Sequence, residues 1–268
     1  MRQQLQQLTS SAFDSTAATF ERDRPMPSGV PEAIRSAIWQ AAPVPAPARV
    51  LDLGAGTGRF GKAFVAAGDL YIGIDLSFPM LREFRANSMS ACLAQADGQQ
   101  LPFRDGSFDV VMLMQVLSGA GNWQGILSET LRVLRAGGFI VVGHTVSSQE
   151  GMTARLKHQL NLILEEMIPE ETNVVRHQPQ QARRQALAWL ESSAGRRLHL
   201  CAASWSTSTT PQEFLARHRT GARFAALPAS AQEDALHQLG AWAKTAFGSL
   251  DTVFPEERSF ELDVFEFH

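Results

Sequence analysis

Two cysteines in 268 residues, Cys92 and Cys201, argue against a secreted disulfide framework, and two thiols cannot complete a four-thiolate zinc site. Both read as small buried hydrophobes. Lysine is nearly as scarce, with only Lys62, Lys157 and Lys244, and the arginine excess carries no functional reading. Neither sign of charge dominates. A net charge of −3 and a pI near 6.2 leave no global basic field to recruit nucleic acid or an anionic membrane. No stretch approaches the ~18 apolar residues of a membrane span. The opening MRQQLQQLTSSAF lacks the apolar core of a signal peptide. Internal repeats and long low-complexity tracts are missing too. These absences predict a soluble, cytoplasmic protein that binds neither nucleic acid nor membrane. What is present is 44% hydrophobic residues, enough for a sizeable core in one α/β domain with an insertion.

Strand and helix patterns alternate through the first half. RVLDLG (49–54), LYIGID (70–75), ACLAQAD (91–97), FDVVMLMQV (108–116) and FIVVGHT (139–145) read as strands. The fourth is strongly apolar, as a central strand of a parallel sheet is. Between them, 58–68, 77–88 and 123–138 have helical periodicity, with Ser77 as N-cap, Pro79 in the first turn and Gly68 as C-cap. A helix over 30–42 precedes them, with Pro31 in its first turn. This alternation predicts a doubly wound α/β sheet. From about 147 the rhythm breaks into helices over 150–171 and 179–195, a strand over 196–206, helices from 210 and over 230–248, and an alternating strand over 258–267.

VLDLGAGTGRFG (50–61) contains two spacings at once. Gly56, Gly58 and Gly61 give G-x-G-x-x-G, the dinucleotide spacing. Gly54, Gly56 and Gly58 give G-x-G-x-G, with Asp52 two residues earlier. A glycine turn entering a helix presents backbone N–H groups to an anion, and a carboxylate suits it as well as a pyrophosphate does. Asp52 disfavours a pyrophosphate but fits a ligand that also carries an amine. S-adenosylmethionine carries both groups on its methionine arm. Asp75, ending the second strand, suits ribose hydroxyls. Asp97, ending the third, suits an adenine amine, with the Gly98 N–H meeting a ring nitrogen.

VLDLGAGTGRF, GIDLS, AD followed by LPFRDGSFDVVMLMQVL, and LRVLRAGGFIVV resemble the successive motifs of class I S-adenosylmethionine-dependent methyltransferases over roughly 49–145. The small-molecule branch, with its quinone-pathway and malonyl-carrier-protein enzymes, looks closest. FDSTAATFERDRP is similar to the N-terminal segment that covers the cofactor there. The resemblance implies a Rossmann-like seven-stranded sheet with its last strand antiparallel and a helical insertion or lid. It divides the chain into an N-terminal helical cover (1–48), a cofactor-binding α/β core (49–146), a helical insertion or lid (147–205) and a C-terminal part with substrate-facing helices (206–268). It places Asp52, Gly54, Gly56 and Gly58 around the methionine arm, and Asp75 on the ribose. Leu76 and Met80 come beside the adenine, Asp97 and Gly98 on its edge. Gln115 would approach the methionine arm through its backbone, with Arg24 closing over the cofactor. The expected product is S-adenosylhomocysteine, and the expected partner a small-molecule acceptor. Two positions depart from the pattern: Phe20 stands where many relatives have tyrosine, and Ser118 where many have histidine.

A sulfonium methyl needs no activation, so alignment in a dry pocket carries such a reaction. A base is needed only when the acceptor loses a proton. His144, at the carboxyl end of a predicted strand, is the one weak catalytic candidate. A non-catalytic cofactor-binding or scaffold protein and a nicotinamide-dependent oxidoreductase are the alternatives.

Overall fold

A computed structural model describes residues 11, 13–24, 26–118, 120–167, 179–218 and 228–268. The chain divides into two compact units: Met1–His144 with Pro179–Ala203 and Phe260–His268, and Thr145–Gln178 with Ser204–Ser259.

In the first unit a 3-10 turn (Asp14–Thr16) and a short helix α1 (Phe20–Asp23) lead into α2 (Val30–Ala41). Then follow β1 (Arg49–Leu53), α3 (Gly61–Ala66), β2 (Leu70–Asp75), α4 (Phe78–Asn87), β3 (Cys92–Gln95), β4 (Phe108–Met114) and α5 (Trp123–Val133). β5 (Leu134–Ser147), β6 (Arg196–Thr209) and β7 (Phe254–Glu266) complete a sheet of order β3-β2-β1-β4-β5-β7-β6. β1 pairs in parallel with β2 and with β4, so the strand order reverses there and a crevice opens at their carboxyl ends. β4 is buried along its whole length, as its strongly apolar sequence predicts, and the one charge it carries, Asp109, is buried with it.

β7 runs antiparallel. The Gly137 N–H donates to the Phe267 carbonyl at 2.8 Å, and the Phe267 N–H donates to the Gly138 carbonyl at 3.0 Å. These bonds explain a difference from the sequence reading. Residues 134–138 look like a helix end, yet the ladder to the last strand draws them into β5. α4 starts where its cap predicts: the Met80 N–H donates to Ser77 Oγ at 3.3 Å. α7 (Pro179–Ser193) buries Ala186, Leu187 and Leu190 against Leu113, Ile140 and Phe265 of the sheet.

The second unit has its own core. α6 (Met152–Met167) contributes Leu156, Leu160, Ile163 and Leu164, spaced to form one helical stripe. α8 (Pro211–His218) adds Phe214 and Leu215, and α9 (Ala229–Phe247) adds Leu236 and Leu239. Truncating such a leucine to alanine costs about 2–5 kcal/mol. No helix among the described residues is long and apolar enough to cross a membrane.

Candidate functional site

The turn after β1 is left-handed at Gly54, Gly56 and Gly58, with φ of 83°, 54° and 81°. A methyl group at Gly58 would overlap the Phe84 ring, whereas at Gly56 it would meet open space. Two of these glycines therefore let the turn pack, because Gly54 is crowded by Val116 in the same way. Gly56 leaves bare backbone facing the crevice, where a ligand's anion can approach.

Asp75 ends β2 beside this turn. One of its oxygens accepts the Gly56 N–H at 2.8 Å and the other accepts the Ser77 N–H at 2.8 Å. Burial pushes its acid strength down, so its pKa rises against these two donors, and Asp14 nearby adds to the rise. Each oxygen keeps a lone pair for further donors. The next strand follows in line: the Ala96 N–H donates to the Asp75 carbonyl at 3.1 Å. Half-exposed Asp97 then accepts the Gln99 N–H at 2.9 Å, forming an Asx turn. Gly98 sits against Leu53, Leu76 offers its carbonyl to Gln95, and Met80 is buried in the first turn of α4.

Asp52 is only 1% exposed. Its Oδ2 accepts from the Tyr71 hydroxyl at 2.7 Å, while its Oδ1 is buried without a hydrogen-bond partner. Burial, the largest influence, raises its pKa to about 7; the Tyr71 hydroxyl works against the rise and Asp75 with it. Gln115, just past β4, is the one non-glycine with positive φ (62°) among the described residues. Its N–H donates to the Gly143 carbonyl at 2.8 Å. A side chain held in the left-handed region costs about 1–3 kcal/mol and marks a site where backbone direction matters.

The N-terminal segment reaches the same crevice through Arg24, which the sequence singled out, and through Asp14 and Glu21, which it did not. Ser77 Oγ donates to Asp14 Oδ1 at 2.6 Å, and the Thr57 hydroxyl donates to the Glu21 carboxylate. The Arg24 guanidinium lies 5.2 Å from the centre of the Phe20 ring, and that of Arg59 lies 5.7 Å from it. Apart from the local Arg24–Phe20 pair, these contacts join residues 36 to 63 positions apart. Sequence spacing gives no signal for them, except that Thr57 stands inside the glycine motif.

His144 lies apart from these groups in contact terms. Its Nδ1 is 2.9 Å from Arg183 Nη2, and Arg183 also pairs with the buried Asp263 at 3.2 Å. Arginine has no acceptor, so Nδ1 accepts and the proton sits on Nε2. Burial first, then the Arg183 charge, lowers the His144 pKa to about 4. At neutral pH its one basic lone pair is engaged, so work as a general base requires Arg183 to let go.

The orphaned Asp52 Oδ1 and the open space at Gly56 fit the two charged ends of an amino-acid arm. Parallel strands wound 3-2-1-4-5 with acids near successive tips define a doubly wound α/β protein with its crevice where the strand order reverses. Residues 51–142 match the family model of a methyltransferase domain. A demethylmenaquinone methyltransferase of Parafrankia is 31% identical over 154 residues, covering 50% of this chain and 61% of that one. An uncharacterised methyltransferase of a Mycobacterium species is 37% identical over 114 residues, covering 41% of this chain and 44% of that one. The chain thus spans about half the length of such relatives. The solved BH2331 protein of Bacillus halodurans shares the fold, with a TM-score of 0.55 and 17% identity over 90% of this chain and 99% of that one. Over residues 51–142 the α/β unit is therefore similar to a methyltransferase domain.

Proposed function

We propose that the protein transfers the methyl group of S-adenosylmethionine to a small-molecule acceptor by direct in-line displacement. The observation that carries this reading is the row of strand-tip carboxylates beside a left-handed glycine turn. In it, Asp52 takes the ammonium of the methionine arm, and the arm's carboxylate lies against the turn where Gly56 leaves open space. Asp75 holds the ribose, Leu76 and Met80 flank the base, and Asp97 with Gly98 reads the base edge. The Gln115 backbone borders the arm, and Arg24 closes the N-terminal segment over it. When bound, the cofactor supplies an electrophilic methyl carbon on a sulfonium. The chain's own task is to orient the acceptor and exclude water. Likeness to a demethylmenaquinone methyltransferase supports a small-molecule acceptor. Selection of that acceptor is assigned to the segment 147–205, which holds α6, α7 and the first part of β6.

Gly61, the third glycine of the dinucleotide spacing, has a packing reason of its own: a side chain there would overlap the Tyr71 hydroxyl. This weakens the oxidoreductase alternative. Calorimetric titration with S-adenosylmethionine and with NADH tests the choice. Binding of the first alone supports the proposal, and binding of NADH alone overturns it. A second reading, cofactor binding without turnover, draws support from the engagement of His144 by Arg183. Release of labelled methyl to any acceptor in a panel of phenols, quinols, amines and carboxylic acids would exclude it.

A further inference from the structure

Tyr71 is the only tyrosine in the chain, and it is 5% exposed. It stands on β2 opposite Val50 of β1, in the register that brings Gly73 opposite Asp52. The space for its hydroxyl comes from two missing side chains, since a methyl at Gly61 or at Gly73 would collide with it. Its ring is held by Phe64 and Phe84, with centroids 6.0 Å away in each case. That hydroxyl has one acceptor, Asp52 Oδ2. The consequence falls on the other oxygen, which lies buried with no donor at the base of the glycine turn. A buried acceptor left unsatisfied costs about 1–3 kcal/mol, more when charged, and such sites mark a missing partner.

We infer that Tyr71 is a positioning residue: it anchors one oxygen of Asp52 so that the other is kept for the ammonium of the methionine arm. The inference rests on S-adenosylmethionine being the cofactor. It has a consequence that ordinary packing would not have. Burial raises the Asp52 carboxyl to about pH 7, so near neutrality part of the population holds a proton. An ammonium group stabilises the carboxylate, and the proton leaves to solvent as the ligand enters. The titratable groups acting on Asp52 are Tyr71 and Asp75, both from β2. The residues of α3 and α4 that hold the tyrosine ring, Phe64 and Phe84, carry no charge. Because the tyrosine hydroxyl lowers the Asp52 pKa, its loss moves the titration upward.

The test is binding, not turnover. Affinity of the full chain for S-adenosylmethionine and for 5′-methylthioadenosine, which lacks the amino-acid arm, is measured by calorimetry from about pH 5.5 to pH 8.5. For the wild type, affinity for the first ligand falls about tenfold per pH unit below the Asp52 midpoint. Affinity for the second stays level. In Tyr71→Phe the midpoint moves to higher pH while methylthioadenosine binds as before. Asp52→Asn flattens the profile and binds S-adenosylmethionine weakly throughout. An unmoved midpoint in Tyr71→Phe, or equal losses for both ligands, overturns the inference. A persisting slope in Asp52→Asn does the same even if Tyr71→Phe fails to fold. A wild type that binds methylthioadenosine normally but S-adenosylmethionine without pH dependence sinks this inference and spares the cofactor assignment. No binding of either ligand sinks both.

Discussion

The Gly56 N–H and the Asp75 carboxylate meet at 2.8 Å, so the tip of β2 holds the turn that follows β1. One acid shapes the glycine turn and, in the proposed function, also holds the ribose. Asp75→Ala therefore removes a charged acceptor and releases the turn together. Affinity for S-adenosylmethionine should drop by about 1.5–3 kcal/mol, read by calorimetry. Unchanged affinity would place the ribose elsewhere.

Ser77 carries two tasks on one hydroxyl. It caps α4 by accepting from Met80, and it ties down the N-terminal segment by donating to Asp14. Ser77→Ala should cost about 0.5–2 kcal/mol of stability, measured by urea denaturation. Cleavage by trypsin after Arg22 should quicken as well. Loss of stability without faster cleavage would show that Glu21 and Thr57 hold the segment unaided.

Much of this site is legible in the sequence, because its parts are local. The acids Asp52, Asp75 and Asp97 close runs of strand-forming residues, and the glycines follow at fixed spacing. The contacts that were not legible are the distant ones. Tyr71 reaches Asp52 only through the β1–β2 register, and Glu21 reaches Thr57 only when the N-terminal segment folds back. The same reason moved the start of β5. Gly137 and Gly138 look like a helix stop until the final strand supplies Phe267 as their partner. His144 reads as no more than a weak catalytic candidate, and the group that engages it, Arg183, is 39 positions away and invisible to a local pattern.

Two buried groups should pull stability in opposite directions with pH. Asp52 has a folded pKa raised from 3.8 to about 7, so the folded state binds the proton more tightly. Its contribution is full below about pH 4 and is lost as pH rises through 7. His144 is lowered from 6.5 to about 4. Its contribution is full above about pH 6.5 and is lost as pH falls through 4. Urea midpoints recorded across this window should rise toward neutrality in Asp52→Asn, relative to wild type, and rise toward acid in His144→Gln. A wild-type slope that survives in both variants would assign the pH response to other groups.

Gly58 is the position where the glycine turn is least forgiving. Its φ is 81°, and a methyl group there would drive into the Phe84 ring, which is fully buried. Left-handed backbone costs a non-glycine residue about 1–2 kcal/mol, and overpacking adds about 1–3 kcal/mol. Gly58→Ala should therefore lower stability by roughly 2–5 kcal/mol in a urea melt. The two causes separate in a double-mutant cycle. Phe84→Leu makes room for the new methyl but cannot change the backbone angle. In the Phe84→Leu background, Gly58→Ala should cost only the backbone share, about 1–2 kcal/mol. If the cost is the same in both backgrounds, the turn tolerates the methyl sterically, and the glycine is required there for its backbone conformation alone.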